Sequence, residues 1–169
     1  MNDEKKDPQP QLPPDLTLNP DGTATFVLNE EGEVSGTYKG VFTFRCFLNP
    51  LDTLAAGRQY RDLLGQFGAE ASQTEKFTAF ALSQLSKRII KAPPFWNADA
   101  SMAGNIPDAN ILSLALDRAI TAEVAYKAKL AEKKSEALKT AESALEGIER
   151  SLKGNPEEDA DPSEPEKKK

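Results

Sequence analysis

The sequence predicts an α+β chain, mostly helical, in which an N-terminal β-hairpin is followed by three or more helices, the last one long and projecting. Three observations predict it. Residues between Thr23 and Leu48 are rich in strand formers, and Val41 to Leu48 alternate between two faces. Ser72 and Glu75 have the spacing of a capping box ahead of an apolar stripe that Pro93 and Pro94 interrupt. A third periodic run begins near Ala109 and continues to Lys153.

Residues 1–22 read as a disordered, acidic, proline-rich arm. Five prolines (Pro8, Pro10, Pro13, Pro14, Pro20) stand among polar residues that bury too little apolar surface to offset the entropy of ordering. Asn19-Pro20-Asp21-Gly22 is a turn sequence, and Thr23 to Leu28 is expected to be the first strand. Asn29 to Glu33 is a polar tip, and Val34 to Leu48 a long second strand. On that strand Phe42, Phe44, Cys46 and Leu48 share one face, with Val41, Thr43 and Arg45 on the other. A lone hairpin is marginal in water, so its phenylalanine face must pack against helices or join another chain's sheet.

Asn49 caps a helix whose first residue is Pro50, where the missing amide hydrogen would have had no partner. Gly65 ends that helix after Leu64, with Leu51, Leu54, Ala55, Leu63 and Leu64 expected to face inward. The capped helix over 72–91 presents Phe77, Ala81, Leu85 and Ile89 on one face. Lys87, Arg88 and Lys91 near its end suit its negative pole. Directly after the proline stop come Phe95 and Trp96, an aromatic corner fit either for burial against the last helix or for contact with a partner. Residues 97–107 read as a loop, and Asp108 is expected to cap the last helix.

That last helix would span roughly 65 Å at about 1.5 Å per residue, longer than a domain of this size is wide, so part of it must project. Its first half is dense in apolar residues (Ile111, Leu112, Leu114, Leu116, Ile120, Val124), as expected for a packed segment. Past Leu130 the chain turns polar, and then Leu138, Ala141, Leu145, Ile148 and Leu152 recur at steps of three and four, a seam of two heptads. Burial of its four large residues would contribute roughly 6–12 kcal/mol. An isolated helix of this length is marginal, and Gly147 subtracts about 1 kcal/mol more. The stripe therefore needs a cover, which either the chain's own domain or another polypeptide, a second copy included, would provide. The expected organisation is an arm over 1–22, a globular domain over 23–130, a helical extension over 131–153, and a disordered acidic tail over 154–169.

The formal charge of −6 is concentrated at the ends. Residues 1–22 hold five acids and two lysines, and residues 154–169 hold six acids and three lysines, so each end carries −3 and the middle, with sixteen of each sign, is neutral. A nucleic-acid binder needs a concentrated basic face, so no nucleic-acid partner is expected. No stretch of about 18 apolar residues occurs, and the first residues, Met-Asn-Asp-Glu, form no apolar signal region. A cytoplasmic chain with no membrane partner is expected.

The chain holds no histidine, which excludes Ser-His-Asp, Cys-His and His-metal arrangements. The single cysteine, Cys46, falls on an apolar strand face and reads as a buried thiol. Glu30, Glu31 and Glu33 sit on a turn tip, no calcium-loop pattern occurs, and no glycine-rich phosphate cradle is present. The expectation is a protein that is not an enzyme, with no catalytic, metal or cofactor-binding residue and no cofactor. Phe95 and Trp96, together with Leu138, Ala141, Leu145, Ile148 and Leu152, are the candidate partner-binding residues.

Several segments taken together resemble small accessory and tail-assembly chaperone proteins of tailed bacteriophages. They are Phe42-Thr-Phe-Arg-Cys-Phe-Leu-Asn-Pro-Leu-Asp52, Tyr60-Arg-Asp-Leu-Leu-Gly65, the stretch from Phe80 to Trp96, Ile106-Pro-Asp-Ala-Asn110, and Ala122-Glu-Val-Ala125. The resemblance covers about residues 40–130 and lies in packing motifs, so it carries over no residue of defined function. It implies a non-enzymatic assembly protein that binds the tape-measure protein and tail-tube subunits, in the host cytoplasm during assembly. The alternative is a structural component of the virion, in head, neck or tail, held by protein–protein contacts.

Overall fold

The computed structural model describes residues 12–96 and 106–153, the side chains of Phe67 and of residues 150–153 excepted. The element order is β1 (Leu16–Leu18), β2 (Thr23–Glu31), β3 (Thr37–Arg45), α1 (Pro50–Leu64), α2 (Gln73–Arg88), β4 (Ile89–Lys91) and α3 (Ala109–Lys153), with a single 3-10 turn at Gly65–Phe67. The chain divides into two compact units, one ending at Lys129 and one beginning at Leu130.

The expected N-terminal hairpin followed only by helices is corrected. The sheet has four antiparallel strands in the order β1-β2-β3-β4, so β2 and β3 form its centre, and one strand follows the second helix. Both added strands are three residues long, too short to display a period. The first, β1, lies inside the segment read as an arm. Leu16 is buried in the core, and Asp15 accepts from Nε of Arg118 through both carboxylate oxygens, at 3.0 and 3.2 Å. The other, β4, occupies residues read as the last turn of a helix. There the β-branched pair Ile89-Ile90 and the approach to Pro93 favour extended backbone, and Ile89 already has φ −69° and ψ 121°. Thus α2 ends at Arg88, three residues earlier than expected.

The central ladder pairs Phe26 with Phe42 and Ala24 with Phe44. Alternation then sends Leu16, Ala24, Phe26, Leu28, Phe42, Phe44 and Cys46 to one face, all buried, while Val27, Val41 and Arg45 on the other face are exposed. The rings of Phe26, Phe42 and Phe44 stack with centroids 5.7–6.3 Å apart. Ala81, Leu82 and Leu85 of α2 join this cluster, as do Ile111, Leu112, Ala115, Leu116, Ala119 and Ala122 of α3. The buried stripe of α3 is half alanine, which lets its backbone approach closely.

The local helix signals are found where expected. Asn49 accepts from the amide of Asp52 at 2.8 Å at the start of α1, and Gly65 closes that helix at φ 62°. At the start of α2 the Ser72–Glu75 capping box is complete, with the Ser72 amide donating to Glu75 at 2.7 Å. The inward face of α1 is corrected. Leu51 is 77 % exposed, Leu54 and Leu63 are also exposed, and Ala56 is the residue that is buried. The reason is that α1 lies along α2, where Ser86 Oγ donates to Gln59 Oε1 at 2.6 Å, so its apolar residues have no sheet to cover. Phe77, expected inward on α2, is also exposed: it shares the face of Ala81 and Leu85 but lies one turn nearer the start of the helix, and the burial on that face begins at Ala81.

Trp96 is 1 % exposed and meets the Phe42 ring edge-on at 4.9 Å and 89°. Phe95 is half-buried and stands edge-on to Tyr38 and Phe42 at 5.1 and 6.2 Å. The proline stop delivers this corner by packing against Gly40, where an added Cβ would collide with Cβ and Cγ of Pro93. Trp96→Ala is expected to lower unfolding free energy by about 3–5 kcal/mol in urea denaturation. Gly40→Ala, which forces Pro93 off β3, is expected to cost about 1–3 kcal/mol in the same measurement. A cost below about 0.5 kcal/mol for either would contradict the packing described.

Candidate protein-interaction surface

The buried ionisable groups of the first unit are engaged in joining its elements. Asp108 was expected to cap α3 with its side chain, but the carboxylate reaches across to the β2–β3 tip. Oδ1 accepts from the Val34 amide at 2.5 Å, and Oδ2 accepts from the Ser35 amide, the Ser35 hydroxyl and the Tyr38 hydroxyl at 3.2, 2.7 and 2.7 Å. The tip closes so tightly over it that a Cβ on Gly32 would lie 2.6 Å from Oδ2. Burial pushes this carboxyl up, but the hydrogen bonds from Ser35, Val34 and Tyr38 together outweigh it and hold the group below the usual carboxylate range.

Arg88 makes a second junction. Rather than simply facing the end of α2, its guanidinium is buried and donates to the Cys46 carbonyl at 3.1 Å and to Glu123 Oε2 at 2.6 Å, tying α2 to the residue that follows β3 and to α3. Burial raises the Glu123 carboxyl, and hydrogen bonds from Lys127 and Arg88 more than offset it, leaving it lowered. The Cys46 thiol is fully buried, and burial pushes it up to about 11. It is therefore almost entirely protonated near neutrality, a poor nucleophile and a poor metal ligand. Among the described residues no group of three or more His, Cys, Asp or Glu could hold a metal ion. No described helix is long and apolar enough to cross a membrane.

Of the sequence-derived partner-binding residues, Phe95 and Trp96 belong to the core of the first unit, and Trp96 presents no surface to a partner. The stripe residues are on the surface of the second unit: Leu138, Leu145 and Ile148 are 55 %, 62 % and 58 % exposed, and Ala141 between them is exposed. Leu152 falls in the last turn of α3, and its side chain lies outside the described residues. Of the two candidate groups, the aromatic corner is thus framework of the first unit, and the described stripe side chains are exposed on the second. The expected loop at 97–107 lies mostly outside the described residues, as do the acidic tail at 154–169 and residues 1–11 of the arm.

Sequence reasoning missed a second apolar surface. An open groove of about 310 Å³ runs between α1 and α2, lined by Leu63, Leu64, Ala71, Thr78, Ala79 and Leu82, and Leu51, Leu54, Phe77 and Phe80 are exposed elsewhere on these two helices. The signal was present as leucines spread around α1 (Leu51, Leu54, Leu63, Leu64), more than a single packed face of one helix can bury. Comparison with protein-family models, with characterised proteins and with solved structures finds no match to this chain.

The lowered Asp108 carboxyl has a pH consequence. Folding favours its ionised form, so its contribution is complete above the unfolded carboxylate value of about 3.9 and is lost as pH falls through the lower folded value. Asp108→Asn, which keeps the shape but loses the acceptor charge, is expected to lower the melting temperature at pH 7 and to narrow its gap from the parent as pH approaches 3. A gap unchanged between pH 7 and pH 3 would contradict the assignment.

Proposed function

We propose that this chain is a non-enzymatic assembly protein that works by binding another polypeptide, specifically a tail-assembly chaperone of a tailed bacteriophage that holds the tape-measure protein and gathers tail-tube subunits on it. One observation carries the reading: Leu138, Leu145 and Ile148 stand exposed in register along one face of a helix. Their burial is worth about 1.5–3 kcal/mol each, and among the described residues of the second unit nothing buries them. A helix that repeats large aliphatic residues at steps of three and four spends solubility on a face that only a cover rewards.

Two further features support it. Phe42, Phe44, Cys46, Ala81, Leu82, Leu85 and Trp96, which lie in the segments that carry the phage resemblance, belong to the core, so the resemblance concerns the framework and not the stripe. The buried Asp108 and Arg88 and the partly buried Glu123 are each engaged in joining elements, which suits a scaffold.

Leu145→Asp tests the reading. It is expected to abolish co-elution with tape-measure fragments on size exclusion, or weaken it at least ten-fold, while leaving the main thermal transition within about 2 °C of the parent, because the stripe lies outside the core cluster. Unchanged co-elution, or collapse of the whole fold, would contradict it. Mass spectrometry of purified particles separates the chaperone from a structural virion component, since a chaperone is expected to be scarce there.

A further inference from the structure

The two flanks of the stripe differ in chemistry, and that difference selects a partner. With Leu138, Leu145 and Leu152 at heptad positions a and Ala141 and Ile148 at d, the e positions hold Glu142 and Glu149 and the g positions hold Ala137, Ala144 and Ser151. Glu142, Glu149, Ala137 and Ala144 are exposed. One side of the seam is therefore acidic, and the other is small enough to admit a close neighbour.

Self-pairing gains nothing from this arrangement. In a parallel pair each e residue faces a g residue of the other helix, which sets glutamate against alanine. In an antiparallel pair e faces e, which sets Glu142 and Glu149 against each other's copies and is repulsive. A seam of two heptads is short, so flanking charges weigh heavily in deciding what it accepts. An anionic lipid surface is disfavoured by the same carboxylates.

The geometry points to an amphipathic helix of another polypeptide, with a leucine-type seam flanked by lysine or arginine, as the occupant of the Leu138–Leu152 face. Its apolar seam fills the a and d positions, its cations lie against Glu142 and Glu149, and the Ala137–Ala144 side sets the close approach. This rests on the reading of the stripe as the binding surface and adds the chemistry of what binds.

The test uses the full chain and two labelled synthetic helices of three heptads, both with leucine at a and d, one with lysine and one with glutamate at e and g, followed by fluorescence anisotropy at low salt. The lysine-flanked helix is expected to bind roughly five-fold more tightly or better, and to lose that advantage in high salt. The double variant Glu142→Lys and Glu149→Lys is expected to invert the order, and Leu145→Asp to abolish both. Equal affinity for the two helices, with both still lost on Leu145→Asp, would overturn the basic partner and leave the stripe as the binding surface. Binding of both that Leu145→Asp does not touch would overturn the surface as well. A dimer of the unliganded chain in sedimentation that Leu145→Asp dissolves would assign the face to a second copy. Capture by phosphatidylserine vesicles that the same change removes would assign it to lipid; either result overturns the proposal.

Discussion

Three phenylalanine rings on one face of the sheet, Phe26, Phe42 and Phe44, set the terms for the first unit. They come from adjacent strands in fixed register, so their stacking follows from the ladder, and water cannot be left on that face without losing several kcal/mol. Leu82 and Leu85 of α2, the alanine-rich stripe of α3, and Trp96 all serve to cover it. Even the Pro93–Gly40 contact belongs to this constraint, because it aims Trp96 edge-on at Phe42. The polar junctions at Asp108 and Arg88 then fix which helix lies where.

What was legible in the sequence was local. The Ser72–Glu75 box, Asn49 before Pro50, Gly65 after Leu64 and the alternation through Phe42, Phe44 and Cys46 each place both partners of an interaction within a few residues, and each is found in the structure. What was missed depends on distant partners. Leu16–Leu18 becomes a strand because Arg118 and β2 hold it, and Ile89–Lys91 because β3 accepts it. Asp108 sits where a helix cap is expected, yet its side chain joins a hairpin end 70 to 74 residues earlier. The leucines of α1 read as core by residue type, whereas Leu51, Leu54 and Leu63 lie on faces of that helix that its packing along α2 leaves exposed.

The aromatic corner and the aliphatic stripe looked equivalent from sequence, two apolar features with no chemistry attached. The structure sorts them by what surrounds each. Phe95 and Trp96 find Tyr38 and Phe42 and become part of the framework, while Leu138, Leu145 and Ile148 remain in water. An exposed aliphatic series in register is costly unless something covers it, and that inequality, more than any motif, is the reason to regard this chain as one that acts through another polypeptide.

Backbone hydrogen exchange read by mass spectrometry, with and without a tape-measure fragment, addresses this most directly. The account predicts new protection confined to amides of residues 138–152, with the strands and α2 unchanged. Protection confined to α1 and α2, or none anywhere in a formed complex, would contradict it.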